Sequence, residues 1–254
     1  MILRYLKDKT ESMRSTEVGW LLDAEEGSFI WSAPTRLNSD RPPARHAKSA
    51  SLCPAVIEHE ARFFVVPCPI SVKLKLTIVP QTGEAALVNA AGDKSEIRSK
   101  TLVKMINVVA SKEWRHPDRP IIQISTPYVF LADEPVYMSL LPPFNYFRAQ
   151  RLPGQLVSGR LPIHIWPRQM LWAFEWVDIS QELHLERGEP WFYVHFETHH
   201  PERQVRLVEA ELTPHLKEYM QGVRGVTNYV NRTFSLFKIA SQRRPRQLLS
   251  KKVR

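Results

Sequence analysis

Within GEPWFYVHFETHHPE, residues 188–202, the side chains with chemical promise are His195 and Glu197. On an extended strand, residues two apart point to the same face. An imidazole and a carboxylate at that spacing form the strand-borne part of metal sites in double-stranded β-helix oxygenases and cupins. There a distant histidine completes a set for iron, manganese or zinc. His199, His200, His215, His164 and His184 are the available third ligands. The first two lie too close for a second strand, His215 falls in a predicted first helical turn, and the last two invert the usual order.

The same alternation puts Trp191, Tyr193, His195 and Glu197 on one face, and Phe192, Val194 and Phe196 on the other. That pattern equally describes the wall of a β-domain. The wall, with no cofactor and no catalytic residue, is the preferred reading. Its alternative is a divalent metal on His195 and Glu197, in an oxygenase-like or cupin-like enzyme.

Other chemistry finds less support. No glycine-rich phosphate loop with its lysine occurs, nor G-x-S-x-G, nor H-E-x-x-H. Cys53, Glu58, His59 and Glu60 lie near one another without an arrangement of nucleophile and base. Glu175 and Asp178 in AFEWVD fall on opposite faces. The rings of HIWP, LWAFEW and PWFYVHF suit a core better than a glycan platform.

These strands sit in a chain of 254 residues, 43% hydrophobic, with 20 prolines against nine glycines. Proline donates no ladder hydrogen bond, so short strands with stiff connections are expected. Only Cys53 and Cys68 occur, which is no disulfide framework. MILRYLKDKTESM turns charged after its opening residues and lacks the apolar core of a signal peptide. No apolar run is long enough for a membrane-spanning helix. The expected location is a cell interior or host cytoplasm, or a virion assembled there.

Residues 1–16 read as an N-terminal arm or edge strand, and 17–212 as one β-domain. EVGWLLDAEEGSFIWSA reads as strand, turn at Glu25-Glu26-Gly27, and strand. Residues 34–54 lack a period and read as a long basic loop suited to a partner. From Val72 to Ile78, apolar residues alternate with Ser71, Lys73, Lys75 and Thr77, which marks a half-buried strand. Residues 94–110 fit a helix or a strand–turn–strand equally. Short β-prone runs then follow to Thr198. Thr213 caps a predicted helix that opens on Pro214 and runs to about residue 232, within a helical segment 213–237. The fold class is mainly β: an antiparallel β-sandwich or distorted jelly roll with a C-terminal helix and a basic extension. Its expected core includes Val72, Leu74, Leu76, Ile78, Trp172, Phe174, Trp176, Phe192, Val194 and Phe196.

Of the formal charge of +9, seven positive groups belong to residues 238–254, KIASQRRPRQLLSKKVR, leaving +2 on the rest. This tail predicts an arm that docks on a neighbouring subunit or on nucleic-acid phosphates. The expected contacts are Arg243, Arg244, Arg246, Leu248, Leu249, Lys251, Lys252 and Arg254 of the tail, with Arg41, Arg45 and Lys48 of the loop.

Several segments carry a resemblance. Pro69-Ile70 leads into the alternating strand; STPYVFLADEPVYMSLLPP runs from a threonine–proline pair to a proline-ended turn. LWAFEWVDISQELHLERGEPWFYV joins a tryptophan strand to the last aromatic one, and VEAELTPHLKEYMQGV opens the closing helix. Together, over about residues 60–225, they resemble an uncharacterised family of bacterial and phage proteins known as a domain of unknown function. The resemblance implies a β-rich fold and supplies no active residue, and the basic end departs from it. The combined expectation is a structural or interaction subunit of a larger homo- or hetero-oligomeric assembly, such as a phage virion or its assembly machinery. The rivals are the metal enzyme and a nucleic-acid-binding accessory protein.

Overall fold

The wet-and-dry alternation of residues 72–78 is realised as a strand whose Val72, Leu74 and Leu76 are buried while Lys73 and Lys75 are exposed. The computed structural model describes residues 15–23, 30–38, 46–81, 83–95, 97–148, 150–224 and 233–252. The expected turn at Glu25-Glu26-Gly27, most of the N-terminal arm, and Arg41, Arg45 and Arg254 lie outside them.

Among the described residues the strands are β1 (Thr16–Leu22), β2 (Thr35–Arg36), β3 (Phe63–Pro67), β4 (Val72–Ile78), β5 (Ala85–Asn89), β6 (Ile106–Val108) and β7 (Ile121–Leu131). They continue as β8 (Val136–Leu141), β9 (Gly154–Leu156), β10 (Gly159–Pro162), β11 (Gln169–Trp176), β12 (Leu183–Leu185), β13 (Pro190–Thr198) and β14 (Val205–Glu209). The α-helices are α1 (Pro54–Glu60), α2 (Ser99–Met105), α3 (Pro214–Val223) and α4 (Thr233–Arg243). The first sheet has the order β14-β1-β7-β11-β9, with β6 also on β7; the second is β10-β8-β13-β3-β2; the third is β12-β4-β5. Among the described strands pairing is antiparallel except between β1 and β14. The fold is therefore dominated by antiparallel sheets, with two helices near the C-terminus.

One apolar core joins the sheets. Ile122, Ile124, Trp172, Phe174 and Trp176 of the first meet Phe64, Met138, Phe192, Val194 and Phe196 of the second, with Leu74 and Leu183 of the third. Burying each such side chain contributes about 1.5–3 kcal/mol. The expected core residues are all buried but Ile78, which is 41% exposed. It ends β4 opposite Ala85, and β12 reaches no further along β4 than Leu74.

A second cluster covers the opposite face of the first sheet. Leu21, Val129 and Leu131 pack against Leu216, Tyr219, Met220 and Val223 of α3 and Ala240 of α4. The Thr213 hydroxyl accepts the Leu216 N–H and Pro214 occupies the first turn, as expected of this helix start. The helix is described as far as Val223; residues 225–232, where its expected course continues, lie outside the described ones. Residues 94–110 resolve into α2 followed directly by β6. The loop 34–54 is less irregular than expected: β2 pairs with β3, and residues 50–52 form a 3-10 turn.

Gly154 marks the tightest strand contact, where an added Cβ would lie 2.0 Å from the Glu175 carbonyl oxygen. That neighbour is backbone and cannot swing aside. Gly154→Ala should therefore push β9 off β11 and cost about 1–3 kcal/mol in urea unfolding. An unchanged midpoint would show that the edge strand relaxes freely.

Candidate functional site

The outward side chains of the second sheet form ordered rows. Strand registers place Phe63, His195, Ser139 and Arg160 side by side across β3, β13, β8 and β10. Val65, Tyr193 and Leu141 make a neighbouring row, and Glu197 stands opposite Tyr137.

At the β3 end the face is aromatic. The His195 ring lies 4.7 Å from Phe63, His59 of α1 packs 4.8 Å from the same ring, and Phe144 meets Phe63 and Tyr193 at 5.2 Å each. Leu37, Phe63 and Tyr193 form a small cluster of their own beneath. At the β10 end the face is charged. Arg160 forms a bidentate pair with Glu197, with Nε 3.1 Å from both carboxylate oxygens and Nη2 2.7 Å from Oε2. Its guanidinium also lies 3.7 Å from the centre of the Tyr137 ring. This partnership holds the Glu197 carboxyl below the usual carboxylate range.

The loop after β8 supplies the most exposed apolar group. Tyr146 donates to Glu189 at 2.9 Å, and Arg148 pairs with the same carboxylate at 2.6 Å while donating to the Pro190 carbonyl. Between these two anchored residues Phe147 is 90% exposed, and nearby Phe144 is 48% exposed.

His195 and Glu197 do share a face, as their spacing implies. Glu197 is committed to Arg160, however, and among the described residues no three His, Cys, Asp or Glu side chains are grouped to hold a metal. Trp191 departs from the expected face: a register shift between Pro190 and Phe192 changes the phase, and Trp191 packs on Trp172 in the main core. Trp172, Trp176 and Trp191 are all buried in the main core, so these rings offer no glycan platform. Glu175 is also buried, with one oxygen on Gln155, whereas Asp178 bonds to Ser180 and Gln181. The two carboxylates make no dyad. Cys53 and Cys68 are both free; burial pushes the Cys68 thiol up to about 12, which leaves it unreactive.

The basic end needs the largest correction: its described part is a strap folded onto the body, not an extension. Leu248 and Leu249 are 3% and 6% exposed within the second cluster, so they offer no apolar surface to a partner. Asp133 accepts the backbone N–H groups of both leucines, at 2.6 and 3.2 Å. Arg244 donates to the carbonyls of His164, Ala132 and Asp133. Lys251 pairs with Glu17 and Lys252 with Glu209, at 2.7 Å each. Arg243 belongs to α4. Arg246 and Lys48 are exposed. No protein-family model and no curated protein matches the chain. Among the described residues no helix is long and apolar enough to cross a membrane.

His195 gives this face a pH dependence. Burial holds its pKa below the ordinary 6.5; Glu197 opposes that shift, while Arg62 and His59 reinforce it. As pH falls through 6.5, the unfolded ring takes its proton before the folded ring does. The folded state therefore keeps this contribution above 6.5 and loses it below. Half-buried His164 shifts the same way. We expect the urea midpoint to fall between pH 7.5 and 5.5, and to fall less steeply in His195→Asn. Equal slopes would remove His195 from this account.

Proposed function

We propose that this protein is an interaction subunit of a larger assembly and docks a protein neighbour on the outer face of its second sheet. The observation that carries this reading is Phe147, a fully presented ring on a loop pinned by Tyr146 and Arg148. Pinning means that little loop order remains to be lost on docking, and a large exposed ring suits an interface centre. Arg160, Glu197 and Tyr137 supply polar groups further along the same sheet face. The family resemblance suggests a phage particle or its assembly machinery as the setting. The core shared by the two larger sheets supports reading them as the faces of a distorted sandwich.

The test is recovery of tagged full-length chain from its native cells at 50 and 300 mM salt, followed by mass measurement. A complex heavier than the 29.5 kDa chain, holding a protein partner at both salts, is expected. A bare monomer under both conditions would overturn the reading. A partner that is nucleic acid, lost steeply with salt, would favour the phosphate-binding alternative instead.

A further inference from the structure

A cleft of about 320 Å³ opens between α3 and the outer side of the first sheet, away from the face just described. Trp166, Leu171 and Met220 give it apolar walls; Asp23, Arg168, Gln169 and Arg224 supply its polar groups. Its volume lies at the small end for ligand cavities, roughly 300–1,000 Å³.

Arg168 is the residue that needs explaining. It is half-buried, and its guanidinium lies 4.9 Å from the centre of the Trp166 ring. Nε donates to the carbonyl of adjacent Gln169 at 3.2 Å. No carboxylate forms an ion pair with it among the described residues, in contrast to Arg62, Arg148, Arg160, Arg203 and Arg244. Burial lowers its pKa, the mark of a cation losing water without gaining a counter-ion. Arginines that lose water are ordinarily paired, and a planar fork stacked on an indole is preorganised for a carboxylate. Asp23, the one acid on the cleft wall among the described residues, has its own carbonyl and Oδ2 bonded by the Gln169 amide.

We infer that this cleft binds a small monocarboxylate with an apolar body, its carboxylate on the outer edge of the Arg168 guanidinium and its body against Trp166, Leu171 and Met220. A single guanidinium fork without a counter-ion matches one carboxylate, and the apolar walls reject a bare anion. The inference is independent of the docking face and stands or falls separately from it.

Octanoate is the probe, with 1-octanol as its uncharged analogue and inorganic phosphate as the bare anion. Calorimetric titration of the full chain should show saturable octanoate binding, at least tenfold weaker binding of octanol, and none of phosphate. The Met220 methyl resonance should move on titration, which locates the ligand. Arg168→Gln should weaken octanoate at least tenfold while leaving octanol unchanged; Arg115→Gln, an exposed arginine that does not line the cleft, should change neither. No saturable octanoate binding, equal binding of octanol, or an unmoved Met220 methyl would each overturn the inference. So would full octanoate affinity in Arg168→Gln. Should that variant fail to fold, the octanol comparison and the Met220 signal on the unaltered chain decide the matter alone.

Discussion

Ending the chain after Arg243 should abolish stable folding, although it removes only a basic end. Leu248 and Leu249 are buried against Leu21, Leu131 and Met220, and truncating a buried leucine to alanine costs about 2–5 kcal/mol. The loss of both, together with the Asp133 and Arg244 bonds, approaches the whole stability of an ordinary domain, about 5–15 kcal/mol. Gly19 shows how closely the strap is seated: a Cβ there would lie 2.5 Å from a Leu249 methyl. The single variant Leu249→Ala should lower urea stability by about 2–5 kcal/mol, and Lys251→Ser with Lys252→Ser by less than about 1 kcal/mol for each exposed pair. A truncated chain with native stability would mean that the strap is an accessory after all.

The second large effect is on association. Replacing Phe147 by Ser should weaken partner binding by at least about 30-fold, the consequence of losing about 2 kcal/mol at an interface centre. Stability should not fall, because a ring that is 90% exposed holds nothing together within the chain. Phe144→Ser should weaken binding too, but also cost stability, since that ring packs on Phe63 and Tyr193. The different signatures separate a docking residue from a packing one.

Much of this architecture could be read from residue order. Period-two alternation located β4 and put His195 beside Glu197, because a strand repeats every two residues whatever lies around it. It failed at Trp191, where the β13 bulge shifts the phase, and at Ile78, where neighbouring strands stop covering β4. Both are tertiary facts. The tail escapes sequence patterns for a different reason. Arg244 is satisfied by backbone carbonyls, which every residue possesses and no sequence pattern marks. Leu248 and Leu249 were the legible signal that this basic end packs on something; their acceptor, Asp133, lies 115 residues away from Leu248. Phe147 was harder still. In PPFNYFR nothing separates the ring that packs, Phe144, from the one presented to solvent, because the distinction arises from how Tyr146 and Arg148 fasten the loop to Glu189.

The central claim is that partners meet the outer face of the second sheet and not the basic end. The most direct measurement compares partner retention by Phe147→Ser and by Lys251→Ser with Lys252→Ser, each as full-length tagged chain recovered from native cells at 50 and 300 mM salt. The phenylalanine variant should lose its partner by at least about 30-fold at both salts, while the lysine variant stays within about twofold of the unaltered chain. Loss of the partner in the lysine variant, with retention in the phenylalanine variant, would contradict the central claim.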